Sequence, residues 1–399
     1  MDFDPETTLS RAGQTVDSGP RGDGTSSHSP ASHSIEPAGR TNGTSSPRPS
    51  SSPRTTLEQT LADLDGGAGA VACSTGRSAM AAVTHLLDAD AHLICGRECS
   101  ADTAQFFSHL DERGTLSVSY RDPSNLQALT TALRPTTAAL WVETPSNLRL
   151  RIADLDALSE FADANDLLLI VDNTVLSPVA QRPLDLGADL VVYSSIQRLN
   201  GHSDVTGGAV VAHSTARAEA LDSIADAYGL YASPADSKLI LRGTKTLSVR
   251  VQQHEKNARS VVYELDAHPA VNRVFYPGLR THPGHKAARR QQDGYGSLVS
   301  IAVDETVNIN ALFRAFNVFS VGQARGSVES TIEHPASMSR ASSPHAPHEG
   351  ATIPPNLVRL SVGIESTDDL LHDLERALDT ARAPETEPAH TPQPVQTRT

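Results

Sequence analysis

Two short segments of the sequence carry residues that could bind a charged small molecule. Residues 70–87 predict a strand, a turn that contains glycine (Ser74-Thr75-Gly76) and a helix. The free backbone N–H groups and the helix dipole at such a helix start favour an anion, which suggests a phosphate cradle. Asp172 falls at the carboxyl end of a predicted buried strand, where open α/β sheets bind ligands. Taken alone, Asp172 is equally compatible with a capping or turn role.

The elements that must position these residues alternate between strands and helices. Apolar runs at 70–73, 138–142, 167–171 and 190–192 predict strands, and periodic apolar residues predict helices between them. A long polar segment at 245–265 predicts a connecting helix, and a strand at 360–364 and a last leucine-rich helix follow it. This order predicts an α/β fold with a mostly parallel sheet in a large lobe and a smaller C-terminal α/β lobe.

Composition sets the predicted domain boundaries. Ser, Pro, Gly, Thr and Arg crowd residues 18–54, and residues 384–399 are similar, which predicts disorder at both ends. The ordered body begins at Thr55, which has capping-box spacing to Glu58. We therefore predict an arm at 1–54, a large domain at 55–244, a connecting helix and C-terminal domain at 245–382, and a tail at 383–399.

The charge balance narrows the classes of partner and the location. Asp plus Glu number 47 against 33 Lys plus Arg, a net charge of −14, and only four residues are lysines: Lys238, Lys245, Lys256 and Lys286. An acidic chain with scarce lysine predicts a salt-adapted surface and argues against nucleic acid or anionic membranes as partners. The three cysteines predict neither a disulfide framework nor a metal site. The acidic start and the lack of a long apolar run predict a cytoplasmic protein.

The segment from Val171 to Val210 makes the prediction more specific. It reads VDNTVLSPVAQRPLDLGADLVVYSSIQRLNGHSDVTGGAV and resembles the Cys/Met metabolism family of pyridoxal-phosphate (PLP) enzymes, which includes cystathionine synthases and lyases and methionine γ-lyase. The resemblance continues, in the family's order, in the segments ETPSN (143–147), LRGTKTLSVR (241–250), YPGLRTHPGH (276–285), GSVESTIEHPASM (326–338) and LVRLSVGIE (357–365). It implies the fold of type I PLP enzymes, similar to that of aspartate aminotransferase.

The resemblance also implies roles for individual residues. Asp172 matches the partner of the PLP ring nitrogen, and Arg359 matches the arginine that binds the substrate carboxylate. The remaining matches are to cofactor-binding positions, namely the phosphate turn Thr75, Gly76 and Arg77, the phosphate-binding hydroxyl of Ser194, and Asn147 beside the ring hydroxyl.

Several positions depart from the family pattern. Gln197 occupies the position of the Schiff-base lysine, and an amide is neither nucleophilic nor basic. Ile196 replaces a phosphate-binding threonine, and Ser100 replaces a tyrosine that stacks on the ring. Arg77 and Arg198 are gained where the family has methionine and an aromatic residue. Either arginine could bring positive charge to the anion site, but each more often points to solvent or to an acidic neighbour.

These departures leave two main functions open. The first is a family member without Schiff-base chemistry, which binds PLP non-covalently or serves as a non-catalytic subunit of an active paralogue. The second is an active lyase or synthase that acts on cystathionine or homoserine esters and takes its amine from another group. A role as a pure interaction protein has the least support. The resemblance implies sulfur amino acids as ligands and assembly as a homodimer or tetramer.

Overall fold

The computed structural model describes residues 4–11, 52–194, 196–323, 326–338 and 353–382. The helices in these ranges are α1 (Pro5–Arg11), α2 (Pro53–Asp65), α3 (Gly76–Thr84), α4 (Ala101–Glu112), α5 (Leu126–Ala132), α6 (Leu155–Ala164), α7 (Gln197–Asn200), α8 (Thr215–Tyr228), α9 (Pro234–Thr244), α10 (Leu247–Ala267), α11 (His285–Gln291), α12 (Ile309–Ala315), α13 (Pro335–Met338) and α14 (Thr367–Arg382). The strands are β1 (Gly69–Cys73), β2 (His92–Gly96), β3 (Ser117–Arg121), β4 (Thr137–Glu143), β5 (Leu168–Asp172), β6 (Leu190–Tyr193), β7 (Gly208–Ala212), β8 (Val271–Phe275), β9 (Leu298–Val303), β10 (Ser320–Val321), β11 (Thr331–Glu333) and β12 (Leu357–Ser361).

The larger sheet is mostly parallel. Its seven strands lie in the order β1-β7-β6-β5-β4-β2-β3, and β7 runs antiparallel to both of its neighbours. Strands β4, β5 and β6 are central and parallel, so their carboxyl ends meet at one edge. Their apolar residues are almost fully buried because helices cover both faces. The predicted α/β fold with a mostly parallel sheet is confirmed.

A second sheet of five strands lies nearer the C-terminus, in the order β10-β11-β12-β9-β8. Helices α10, α12 and α14 supply the apolar residues that pack with its own in a separate core. The long helix α10 contributes apolar residues to the cores of both sheets, with Val251 in the first and Val261 in the second. It also carries the buried polar residues Arg250 and His254.

The start of the ordered body differs from the prediction. Ser52, not Thr55, caps α2, because the Ser52 hydroxyl accepts a hydrogen bond from the Thr55 backbone N–H at 3.2 Å. Glu58 does not close a capping box, since its carboxylate accepts from the N–H of Ala72 at 3.1 Å. This hydrogen bond links β1, the first strand of the large sheet, to α2.

The predicted arm also contains ordered residues. Residues 5–11 form α1, in which Leu9 is 1% exposed and Glu6 accepts a hydrogen bond from Ser248 at 2.9 Å. Residues 53 and 54 belong to α2. Residues 5–11 are helical because a buried leucine and a side-chain contact with α10 offset the entropy of ordering. Residues 12–51 and the predicted tail at 383–399 lie outside the described residues.

The strand predicted at 360–364 lies earlier in the chain. Strand β12 ends at Ser361, and Ile364 is 39% exposed. Only Leu360 and Val362 of the predicted apolar face are buried, because the chain leaves the sheet after Ser361. Among the described residues, no helix is both long and apolar enough to span a lipid bilayer.

Candidate active site

A cleft of about 510 Å³ lies at the carboxyl edge of the large sheet and is closed on one side by the second sheet. All eight predicted site residues line it, namely Thr75, Gly76, Arg77, Asn147, Asp172, Ser194, Gln197 and Arg359. They come from six places in the sequence, up to 284 positions apart, which the parallel topology and strand β12 bring together. The roles that the resemblance implies for them stay predictions.

Asp172 ends β5 at the floor of the cleft and is 4% exposed. Its Oδ1 accepts a hydrogen bond from the Thr174 N–H at 2.9 Å, whereas Oδ2 has no partner in the described residues. Burial raises the pKa of this carboxyl, because the charged form loses its hydration. A cation beside Oδ2 would reverse that shift and would satisfy the vacant acceptor.

Glu143 is a cleft residue to which the sequence reasoning gave no role. It ends β4 directly beside Asp172, and its carboxylate accepts hydrogen bonds from the Ser100 N–H at 2.8 Å and the Thr103 hydroxyl at 2.6 Å. Burial, and secondarily the charge of Asp172, raise the pKa of Glu143 to about 8. The floor thus holds two neighbouring acids whose ionisation costs free energy. Glu143 is the first residue of the quoted ETPSN motif, and this motif is the sequence signal that could have identified it as a cleft residue.

The start of α3 packs closely on the residue after β6. A Cβ added to Gly76 would lie 1.6 Å from the backbone oxygen of Ser194, so only glycine fits there. Thr75 caps α3 in a reciprocal capping box with Ser78, which uses the Thr75 N–H and leaves those of Gly76 and Arg77 at the helix start. Backbone N–H groups and the Ser194 hydroxyl therefore border one end of the cleft, as a phosphate site requires.

The Arg77 side chain pairs with residues of the neighbouring helix α4. Its Nη2 donates to Asp102 Oδ1 and to Gln105 Oε1, each at 2.8 Å, and the side chain is 48% exposed. Of the two alternatives stated above, the structure shows the one in which Arg77 meets solvent and an acidic neighbour.

Arg359 lies on the opposite wall, on β12. Its Nη2 is 2.5 Å from Glu333 Oε1, and its Nη1 donates to the backbone and side-chain oxygens of Asn147. Glu333 faces Arg359 directly because the two residues pair in the register of β11 and β12. The predicted carboxylate-binding arginine therefore carries an internal carboxylate, whereas its Nε has no partner in the described residues.

Gln197 is half-buried at the first position of α7 and lines the cleft. All four lysines of the chain lie in the described ranges, and each is exposed on a helix or at a helix end: Lys238, Lys245, Lys256 and Lys286. In the part of the chain that the structure describes, no lysine lines the cleft.

Arg198, next to Gln197, also lines the cleft but is only 3% exposed. The expectation that it points to solvent or to an acidic neighbour is wrong. Its side chain packs against Gly326, where a Cβ would lie 2.7 Å from Nη2. No acidic side chain pairs with it among the described residues.

The cleft fits PLP in two respects and not in a third. The vacant Oδ2 of Asp172 suits the ring nitrogen, and the α3 start with Ser194 suits the phosphate. For covalent attachment, no lysine amine lines the cleft in the described residues, since Gln197 lines it and the four lysines are exposed elsewhere.

Comparison with known proteins is consistent with this arrangement. The profile of the Cys/Met metabolism PLP-dependent enzymes matches residues 24–379. The cystathionine β-lyase of Coxiella burnetii is 39% identical over 328 residues, which cover 82% of this chain and 85% of that protein. The cystathionine γ-lyase of Bacillus subtilis is 37% identical over 326 residues, which cover 82% of this chain and 86% of the relative.

Solved structures give the same result for the fold. The cystathionine γ-synthase of Xanthomonas oryzae pv. oryzae, in complex with aminoacrylate and cysteine, superposes with a TM-score of 0.89 at 37% identity. The match covers 96% of this chain and 99% of that one.

Proposed function

Because the chain belongs to the Cys/Met metabolism PLP-dependent enzyme family, we propose that it binds PLP non-covalently together with a sulfur amino acid. In this proposal it acts in sulfur amino-acid metabolism without the lysine that attaches the cofactor. The observation that supports this proposal most strongly is where the lysine amines lie. Gln197, which has an amide and no amine, lines the cleft, and all four lysines are exposed outside it.

The chain's own residues account for cofactor binding without a covalent bond. Asp172 would take the ring nitrogen at its vacant Oδ2, and that cation would lower the raised pKa of the carboxyl. Ser194 and the N–H groups of Gly76 and Arg77 would hold the phosphate. When bound, PLP supplies an amine-reactive aldehyde and a ring that withdraws electrons from the substrate α-carbon.

The substrate side of the cleft supports an amino-acid ligand. Arg359 is placed to hold a carboxylate, but it must first share or release Glu333, which lies 2.5 Å from Nη2. Gln197 can orient a ligand through its amide but cannot accept a proton at neutral pH. Proton transfer, which the family's lysine supplies, therefore has no evident carrier at that position.

An active lyase or synthase is the second candidate. The retained Asp172 and Arg359 and the 39% identity to a cystathionine β-lyase support it. This candidate requires an amine or another base to replace the lysine. A cytoplasmic location and assembly as a homo-oligomer, or with an active paralogue, remain part of the proposal.

One spectroscopic experiment separates the two candidates. The purified full-length protein is mixed with PLP in concentrated salt, desalted, treated with borohydride and analysed by mass spectrometry. We expect PLP to be retained with the absorption of the free aldehyde and with no covalent adduct.

An adduct on one of the four lysines would overturn the non-covalent proposal. Release of an α-keto acid from cystathionine by the unaltered protein would establish the active candidate. Failure to retain any PLP would contradict both candidate functions, because each requires bound PLP.

A further inference from the structure

A second, smaller cavity lies beside the cleft. It has a volume of about 110 Å³ and is found at the carboxyl ends of β2 and β3, where Gly96 and Asp122 line it. Glu143 lines both this cavity and the cleft, so the two spaces lie on either side of that residue. A water molecule needs only ~10–15 Å³ of such space, so the smaller cavity has room for a small polar molecule. Its lining also includes a thiol, that of Cys99.

Cys99 meets a second thiol behind the cavity wall. Cys95 lies on β2 and is 0% exposed, and Cys99 follows four residues later at 6% exposed. A side-chain hydrogen bond joins the two thiols, and both lie near the phenol of Tyr120 on β3. The structure therefore shows the reduced form of a pair of cysteines that are already in contact. Contact between the side chains is the first requirement for a disulfide.

The two thiols differ in what can reach them. Cys99 is among the residues that line the cavity, whereas Cys95 packs into the apolar core on one face of the large sheet. Burial, and secondarily the hydrogen bond to Cys99, raise the pKa of the Cys95 thiol well above its usual range, so Cys95 stays protonated. A reagent in the cavity therefore meets Cys99 first and finds Cys95 behind it.

We propose that Cys95 and Cys99 form a reversible disulfide on exposure to hydrogen peroxide, with Cys99 as the thiol that reacts first. The Cys99 sulfur attacks one peroxide oxygen, the O–O bond breaks, and the other oxygen leaves as water with the thiol proton. The Cys95 sulfur then attacks the sulfenic acid of Cys99, the S–O bond breaks, and a second water leaves with the Cys95 proton. Two electrons pass from the two thiols to one peroxide. This modification site is independent of the proposed function, because no step involves PLP.

The chain offers an internal control and an internal reporter. Cys73 is also 0% exposed, but it ends β1, which four strands separate from β2 in the order of the sheet. Its thiol donates to the backbone oxygen of Val71 at 3.9 Å. Trp141, the one tryptophan of the sequence, pairs with Cys95 in the register of β2 and β4. Because a disulfide in contact with an indole quenches its fluorescence, the emission of Trp141 reports the bond.

Peptide mapping of the full-length protein without PLP tests the proposal. The protein is treated with hydrogen peroxide, alkylated with iodoacetamide in denaturant and digested with trypsin. Trypsin cuts after Arg97, so a disulfide from Cys95 to Cys99 holds two peptides together. We expect the linked pair to appear, alkylation to be lost at Cys95 and Cys99 but kept at Cys73, and the fluorescence of Trp141 to fall. Dithiothreitol should reverse all of these changes.

Three variants separate the roles of the cysteines. Cys95→Ser should stop the reaction at the sulfenic acid of Cys99, which dimedone traps. Cys99→Ser should leave Cys95 unreacted, and Cys73→Ser should behave like the unaltered chain. Full alkylation of Cys95 and Cys99 after peroxide, oxidation of Cys73 at the same rate, or a link between two chains on a non-reducing gel would overturn the proposal. If a serine variant does not fold, the peptide map of the unaltered chain still decides.

Discussion

Two turns that border the same cleft carry arginines with opposite surroundings. At the start of α3, Arg77 is 48% exposed and donates to Asp102 on the neighbouring helix α4. At the start of α7, Arg198 is 3% exposed and lies beside another arginine, Arg250. The sequence offered the same alternatives for both residues: the anion site, or solvent and an acidic neighbour.

The difference shows that the surroundings, rather than the residue type, decide whether an arginine forms an ion pair. Asp102 lies beside Arg77, whereas no acidic side chain pairs with Arg198 in the described residues. A surface arginine with a carboxylate nearby forms a screened ion pair of small free energy. A buried arginine without an acidic partner instead keeps the desolvation cost of its charge. The α3 turn thus pairs its arginine with an acid, whereas the α7 turn holds a buried cation with no acidic partner among the described residues.

The largest effect should come from introducing an amine at the α7 turn. We expect Gln197→Lys to form a borohydride-stable adduct with PLP, where the unaltered chain forms none, because a lysine there would line the cleft. Intact-protein mass after reduction measures it. Gln197→Met, of similar length, is the matched control and should form no adduct. Absence of an adduct in Gln197→Lys would mean that the α7 turn does not direct this side chain to the cofactor.

The second-largest effect should come from Asp172, which lies at the floor of the cleft that both turns border. Asp172→Asn should weaken PLP binding by about 100-fold or more, since it removes one partner of a buried charge pair. Fluorescence titration with PLP measures the affinity. Asp102→Asn, at an exposed acid on the rim, is the control for lost negative charge. Equal affinities for Asp172→Asn and the unaltered chain would place the ring nitrogen elsewhere.

The acidic floor also predicts how the cofactor-free protein responds to pH. The pKa of Glu143 is raised from 4.5 to about 8, so its contribution to stability is fully present below pH 4.5. That contribution is lost as the pH rises towards 8, because the folded state then binds more protons than the unfolded state. The free energy of unfolding should fall through this window by about 1.4 kcal/mol per pH unit from this group alone.

Denaturant unfolding at a series of pH values measures this slope. Glu143→Gln should flatten it, because the amide does not titrate. Asp65, whose pKa burial raises from 3.8 to about 7, lies away from the cleft beside Tyr193, so Asp65→Asn should flatten only the lower part. Identical slopes in Glu143→Gln and the unaltered chain would show that Glu143 titrates normally.

The sequence predicted the fold and the position of the cleft because both depend on signals that repeat along the chain. Apolar runs marked β4, β5 and β6. The quoted family motifs contain five of the eight predicted site residues, and the other three belong to the turn that contains glycine at the start of α3. The boundaries were less accurate where a single contact decides them. Ser52 caps α2 although Thr55 and Glu58 have the spacing of a capping box, because Glu58 is drawn to β1.

The partners of charged residues could not be predicted from the sequence. Arg359 and Glu333 are 26 positions apart, and they meet only because β11 and β12 pair in this register. Arg198 is buried because Ser297 and Gly326, from distant segments, close over it. Such pairings depend on three-dimensional packing, and a motif records only which residue types are present.

The smallest effect should come from the α3 turn, and it is the sharpest check of the comparison. Arg77→Gln should change the free energy of unfolding by less than about 1 kcal/mol, because an exposed ion pair is screened by water and salt. It should change PLP affinity by no more than about threefold, since Asp102 and Gln105 engage the guanidinium and the backbone N–H groups of the helix start are unchanged. Asp102→Asn, which removes the other half of the pair, should give the same result in both measurements. A tenfold loss of PLP affinity in Arg77→Gln but not in Asp102→Asn would mean that the guanidinium leaves Asp102 for the phosphate.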